Sequence, residues 1–174
     1  MIRLLALAAS LCFAQGDPAA TGGEVDSFRD SILNYYGFTP EAASAIRSGI
    51  VRLEIEDWQA TTGGSEWKAR ERTLKLKSAQ QRAAVHAFAR VWWDVARSTG
   101  APPGKALEDE VAKSPLKKKF GKLKDGELFA ELAAWTMGRY QTGSRALPKT
   151  LWKYYEPMFT GKIYRTPYYD GGIP

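Results

Sequence analysis

Apolar residues recur at intervals of three and four along most of the chain, which is the spacing of amphipathic helices. The first stripe consists of Val25, Phe28, Ile32 and Tyr35. It predicts a helix over residues 24–36, and Gly37 follows as a typical stop signal. Thr39 and Pro40 then predict the start of a second helix, with Thr39 as its N-cap and Pro40 in its first turn.

Two short segments fit both a helix and a strand. Residues 50–56 and 72–77 contain an alternation of apolar and charged positions, which is also the pattern of a half-buried strand. Helix is favoured because Pro40 begins a helix upstream, and because Arg52 and Glu56 have the spacing of a helical ion pair. The alternative is a small hairpin formed by the two segments.

Helical spacing continues through the second half of the chain. Ser65 predicts the cap of a third helix that runs from Glu66 to Ser98, with or without a bend at residues 78–80. Further helices are predicted over residues 105–112, 115–124 and 126–140, and from Pro148 to Tyr155 or Phe159. The pattern therefore predicts an all-α, single-domain, irregular bundle of about five to seven helices over residues 24–159. With the hairpin, the fold would instead be α+β.

Aromatic residues are concentrated near the C-terminus. The last 25 residues contain seven of them: Trp152, Tyr154, Tyr155, Phe159, Tyr164, Tyr168 and Tyr169. Gly and Pro interrupt residues 160–174, which predicts a coil there. Because ordering a coil costs conformational entropy, we expect the aromatic rings to pack residues 160–174 onto the helical domain. The alternative is that they form a contact surface for a partner.

The N-terminal residues predict export from the cytoplasm. Residues 1–14 combine Arg3, an apolar stretch and small residues before position 15, which is the pattern of a cleaved signal peptide. The apolar stretch is shorter than the roughly 20 residues that a membrane-spanning helix needs. Residues 15–23 then predict a flexible leader. Acylation of Cys12 is a weaker alternative, because the bulky Leu11 precedes it.

Cleavage after residue 14 would remove the only Cys of the chain. Small secreted domains of eukaryotes usually contain several Cys residues, so a mature chain without any favours a bacterial periplasmic or secreted protein. No later segment is apolar enough to span a bilayer, so the mature chain is predicted to have no transmembrane span.

The charge of the protein is concentrated in one segment. Hydrophobic residues make up 44% of the chain and charged residues 25%, which excludes wholesale disorder. Lys and Arg number 25 against 19 Asp and Glu, so loss of Arg3 with the signal peptide lowers the formal charge from +6 to +5. One 12-residue segment without acids contains Lys113, Lys117, Lys118, Lys119, Lys122 and Lys124. The remainder of the mature chain is therefore close to neutral.

We call residues 113–124 the lysine segment. Its apolar residues Leu116, Phe120 and Leu123 have helical spacing, which predicts an amphipathic helix with a cationic face. This face is a candidate binding surface for an anionic lipid, a polyanion or another envelope protein. The alternative is an ordinary solvated face. Lys binds phosphate less specifically than Arg does, and the chain has no specific signature of nucleic-acid binding.

A second candidate surface, basic and aromatic, combines His86, Arg90 and Trp93 on one flank of the third predicted helix. The chain contains no metalloprotease, phosphate-loop or dinucleotide-binding motif, so neither catalytic residues nor a metal or cofactor is predicted. The sequence therefore favours a non-enzymatic binding or envelope-associated protein. The alternative is a small hydrolase of an envelope polymer that uses His86 or an acid such as Glu131.

Overall fold

Helices and one small sheet make up the computed structural model, which describes residues 22–98, 104–141 and 147–161. The helices are α1 (Gly22–Tyr35), α2 (Pro40–Gly49), α3 (Gln81–Ser98), α4 (Gly104–Lys113), α5 (Lys117–Phe120), α6 (Asp125–Gln141) and α7 (Lys149–Trp152). The strands are β1 (Arg52–Ile55), β2 (Ser65–Lys68) and β3 (Thr73–Leu76). The fold is thus helix-rich, as predicted, but it is not purely α-helical. The predicted signal peptide, residues 1–14, lies outside the described residues.

The turn between α1 and α2 forms as the sequence predicts. Gly37 has a φ of +61°, the left-handed conformation that ends many helices. The N–H of Gly37 donates to the carbonyl of Asn34, and the N–H of Phe38 donates to that of Leu33. The Thr39 hydroxyl then accepts a hydrogen bond from the N–H of Ala42 at 3.1 Å and so caps α2.

The sheet has β3 at its centre, parallel to β1 and antiparallel to β2. Leu74 and Leu76 of β3 point to one side and are fully buried. Lys75 points to the other side, opposite Glu54 of β1, and its Nζ lies 2.9 Å from Glu54 Oε2. The Lys75 ammonium holds the pKa of Glu54 below its ordinary value by hydrogen bonding, and Arg52 adds to this effect.

The helix prediction is wrong for both ambiguous segments. Residues 52–55 and 73–76 are strands, as the alternative proposed, but they pair in parallel and do not form a hairpin. They are not consecutive strands, because β2 lies between them in sequence and pairs with β3. Strand β2 begins at Ser65, where a helix cap was predicted. Helix α3 accordingly begins at Gln81 rather than at Glu66. Strands of four residues are stabilised by pairing and burial more than by local propensity.

The core is built around α3 and α6. The Phe129 ring of α6 is stacked between the rings of Trp92 and Tyr155, with centroid separations of 5.3 Å and 4.6 Å. The Tyr155 hydroxyl donates to the Phe129 carbonyl at 3.0 Å. Complete burial raises the pKa of Tyr155 well above its ordinary value. At least one of the C-terminal aromatic residues is therefore part of the core.

The segment after α7 packs against the α1–α2 turn. The predicted last helix is shorter than expected, because α7 ends at Trp152 and turns follow it. Phe159 forms an isolated antiparallel bridge with Phe38, and the N–H of Thr39 donates to the carbonyl of Met158 at 2.9 Å. The predicted C-terminal coil, residues 160–174, lies outside the described residues from position 162 onward.

Candidate functional site

Three ionisable side chains from α3 and α6 meet at one edge of the helix pair. His86 Nε2 lies 3.3 Å from Glu127 Oε1 and 4.0 Å from Glu131 Oε1. The two acids are four residues apart on α6, so they lie on the same face of that helix. We call these three residues the His–Glu cluster.

The position of His86 at the edge of the core explains the environment of its ring. Its neighbours Val85 and Ala87 are buried, whereas the His86 side chain is 20% exposed. The Nε2 atom itself is inaccessible and forms no hydrogen bond within the described part of the chain, although Glu127 Oε1 is near. The contact therefore has the distance of an ion pair without the alignment of a hydrogen bond.

Arg82 is one helical turn before His86 and contacts the same acid. Its Nη2 donates to Glu131 Oε2 at 3.2 Å, while the other carboxylate oxygen of Glu131 is the one nearest His86. The guanidinium thus restrains the orientation of this carboxylate. The Glu131 side chain is 33% exposed and that of Glu127 is 52% exposed, so solvent reaches the cluster from the Glu127 side.

The structure does not place Arg90 and Trp93 on one exposed surface with His86. Trp93 is only 3% exposed, and its ring centroid lies 5.2 Å from that of Phe129, so it is a core residue. The half-buried Arg90 packs with Trp93 against the backbone of Gly126, in the first turn of α6. Of the three predicted residues, only His86 contributes to the His–Glu cluster.

The lysine segment connects α4 to α6 and is less helical than predicted. Only residues 117–120 form a helix, α5, rather than the whole of 115–124. Phe120 is buried, and Leu116 and Leu123 pack against the core as partly buried residues. The apolar side of the segment is therefore anchored as its spacing predicts, while the backbone turns between α4 and α6.

The lysines of this segment differ in their contacts. Lys113, Lys117, Lys118 and Lys122 are exposed. Lys119 Nζ lies 5.3 Å and 5.4 Å from the ring centroids of Phe120 and Trp135, within the range of a cation–π contact. Lys124 Nζ lies 3.0 Å from Glu108 Oε2, which makes it the one member of the segment with an ion pair among the described residues.

Glu108 anchors the end of the lysine segment to α4. Its other oxygen accepts a hydrogen bond from the N–H of Asp125 at 3.2 Å. The hydrogen bond from Lys124 and the one from the Asp125 N–H hold the pKa of Glu108 below its ordinary value. The segment is thus held by Phe120 in its middle and by Glu108 at its end, and most of its positive charges face solvent.

Comparison of the chain with models of known protein families, with curated proteins and with solved structures finds no match. Within residues 22–98, 104–141 and 147–161, no helix has both the length and the apolar character needed to cross a bilayer. The lysine segment and the His–Glu cluster are thus the two features of the described chain from which a function can be inferred.

Proposed function

We propose that the protein is an exported, non-enzymatic helical binding protein, periplasmic or secreted, whose lysine segment binds an anionic lipid surface. One observation carries this proposal. Lys117, Lys118 and Lys122 are exposed and form no ion pair within the described residues, on a segment whose backbone is fixed by the buried Phe120. Their charges are thus available to a partner without prior disruption of an internal contact.

The chemistry of the segment fits a lipid surface better than a specific phosphate site. Each Lys near an anionic membrane contributes about 1 kcal/mol, so three or more give useful affinity. Lys presents a compact point charge, which suits a diffuse array of headgroups, whereas specific phosphate sites favour the bidentate Arg. Phe120 is buried and contributes no exposed apolar group, so the attraction is electrostatic and weakens as salt is added.

Vesicle flotation tests the lipid proposal. Vesicles of phosphatidylglycerol and phosphatidylcholine are expected to carry the protein upward at low salt, and vesicles of phosphatidylcholine alone are not. The triple variant K117Q/K118Q/K122Q is expected to lose binding. Lys119 is left unchanged because it contacts the rings of Phe120 and Trp135.

A matched control removes the same number of charges elsewhere. The variant R70Q/K77Q/R97Q changes three exposed cations outside the lysine segment and is expected to bind vesicles almost as well as the wild type. Equal losses in the two variants would show that only the total charge matters and would contradict the proposed site. Binding to soluble polyphosphate or to another envelope protein, without binding to vesicles, would replace the lipid by that partner.

Export is tested separately, by N-terminal sequencing of the protein recovered outside the cytoplasm. The proposal expects a mature chain that begins at Gln15 and contains no Cys. A chain recovered from the cytoplasm that still begins at Met1 contradicts export, whatever the vesicle result.

The second candidate function is a small hydrolase of an envelope polymer. It is favoured by the proximity of His86 and Glu131, which lie on different helices. Dye-labelled peptidoglycan is a suitable probe: a hydrolase releases soluble dye, and E131Q is expected to abolish the release. Absence of release by the wild type would contradict this candidate and leave the binding function in place.

A further inference from the structure

We propose that His86, Glu127 and Glu131 form a binding site for a divalent transition-metal ion, with Zn²⁺ as the best fit. One ligand atom from each residue lies within 4.8 Å of the other two. Imidazole nitrogens and carboxylate oxygens are both ligands of zinc, and zinc sites that keep one coordination position open have three protein ligands. The sequence alone predicts no metal site, because it shows no recognisable ligand spacing.

One distance within the His–Glu cluster matches what such an ion requires, and a second is longer. Ligand atoms about 2.0–2.1 Å from a tetrahedral zinc ion are separated by roughly 3.3 Å from one another. The distance from His86 Nε2 to Glu127 Oε1 is 3.3 Å, and the distance to Glu131 Oε1 is 4.0 Å. The longer distance involves Glu131, whose other oxygen Oε2 is held by Arg82, so a small rotation of this carboxylate about the Arg82 contact would bring Oε1 into range.

The electrostatics of the cluster point to a cation. Two carboxylates converge on an imidazole nitrogen that forms no hydrogen bond within the described part of the chain. A divalent ion would neutralise both carboxylates and give the inaccessible nitrogen a ligand bond in place of the missing hydrogen bond. Without an ion, the like charges on Glu127 and Glu131 repel each other, and the Arg82 guanidinium on Glu131 supplies one positive charge against the two carboxylates.

Arg82 gives the site an outer contact that orients one ligand. Its hydrogen bond to Glu131 Oε2 leaves Oε1 as the oxygen that faces His86. Contacts of this kind fix the geometry of metal-ligating carboxylates in many sites. The solvent-exposed side of Glu127 leaves room for water or another small ligand in the fourth position.

Because His86 is the only histidine in the chain, its ring gives an unambiguous readout of this site. Tag-free protein, stripped of metal with a chelator, is titrated with ZnCl₂ and followed by NMR of the imidazole C–H signals. The proposal expects both signals to shift and the change to saturate at one equivalent of Zn²⁺. Isothermal titration under the same conditions is expected to give a stoichiometry of one.

The variants E127Q and H86Q are expected to weaken zinc binding at least tenfold. E127Q is expected to disturb the fold less than H86Q, because the Glu127 side chain is half exposed. Thermal unfolding checks that both variants remain folded. E41Q, which changes an exposed acid on α2, is the matched control and is expected to bind like the wild type.

Three results would overturn the proposal. The first is no shift of the His86 signals with ZnCl₂. The second is equal zinc affinity in folded E127Q and in the wild type. The third is equal binding of MgCl₂, which would show an oxygen-only site for a hard cation instead of a transition-metal site. These measurements involve no lipid, so they are independent of the test of the lysine segment.

Discussion

The indole N–H of Trp67 donates a hydrogen bond to Asp94 Oδ2 at 2.7 Å. Trp67 belongs to the edge strand β2 and Asp94 to α3, so this bond links the small sheet to the central helix of the core. Both side chains are half buried, where a hydrogen bond to a carboxylate is stronger than in open water. The sheet is thus attached to α3 by a polar contact as well as by its buried leucines.

Replacement of Trp67 by Phe is expected to destabilise the protein by about 1–3 kcal/mol. The ring remains available for packing, but the Asp94 carboxylate loses its donor in a partly desolvated position. Urea unfolding followed by circular dichroism measures the change. W58F is the control, because Trp58 is 38% exposed and has no such bond among the described residues, and its effect is expected to stay within about 0.5 kcal/mol. An equal loss of unfolding free energy in W67F and W58F would contradict a stabilising role for the Trp67–Asp94 hydrogen bond.

Asp30 is expected to make a pH-dependent contribution to the free energy of unfolding. Its carboxylate accepts hydrogen bonds from Arg47 at 3.0 Å and from Arg29 at 3.2 Å. Burial alone would raise the pKa of Asp30, but the hydrogen bonds from Arg47 and Arg29 outweigh it and leave the pKa below its ordinary value. A carboxyl group with a lowered pKa in the folded state stabilises the fold above its unfolded pKa of about 4. That contribution is lost as the pH falls through the folded pKa.

D30N is therefore expected to reduce the free energy of unfolding at neutral pH by no more than about 1 kcal/mol, because the ion pairs are partly exposed. The difference from the wild type should begin to shrink as the pH falls below about 4, the pKa of the unfolded state, and should be smallest below the lowered pKa of the folded state, where the wild-type carboxyl is neutral in both states. Urea unfolding of both proteins across this pH range measures the effect. A difference that is independent of pH would contradict the assignment to the Asp30 charge.

Substitution of Gly126 by Ala is expected to destabilise the protein by about 1–3 kcal/mol, although Ala favours helices. A Cβ at this position would lie 2.7 Å from Cδ1 of the buried Trp93 and would also collide with the Arg90 guanidinium. G23A is the matched control, because Gly23 lies in a helix with no atom within 4 Å of the added Cβ. Thermal unfolding should show a lower Tm for G126A only. An unchanged Tm would show that Trp93 and Arg90 do not pack closely against this backbone.

Thr39 has two roles that one substitution removes together. Its hydroxyl accepts from the N–H of Ala42 and donates to the carbonyl of Pro157 at 2.8 Å. T39A is expected to cost about 1–2 kcal/mol, mainly through loss of the helix cap. T39S keeps the hydroxyl and is expected to retain most of the stability in chemical denaturation. Equal destabilisation of T39A and T39S would assign the effect to the lost methyl group instead.

The sequence predicts those parts of the fold that depend on local signals. Gly37, Thr39 and Pro40 act within a few residues of their own positions, so the end of α1 and the start of α2 are predicted correctly. The strands depend on pairing between residues far apart. Leu74 of β3 pairs with Leu53 of β1 and with Trp67 of β2, and the local pattern of residues 72–77 cannot show this pairing.

The candidate sites divide in the same way. Exposure of the lysines and anchoring by Phe120 follow from charge and spacing, so both could be predicted. The His–Glu cluster depends on which faces of α3 and α6 meet. The sequence singles out His86 because it is the only histidine, and it names Glu131 as one acid that a hydrolase could use together with His86. Glu127 is not among the predicted residues, and its spacing of four from Glu131 was the only available signal.

The bridge between Phe38 and Phe159 also limits when folding can be completed. The hydrogen bond from Thr39 to Pro157 spans 118 residues of sequence, so the loop between α1 and α2 obtains these partners only once the chain has been made as far as Phe159. Contacts of such long separation form late and slow the overall folding rate. A chain still being synthesised cannot form this bridge before Phe159 has been made, so the α1–α2 turn reaches its final structure only after residues 147–159 can pack against it.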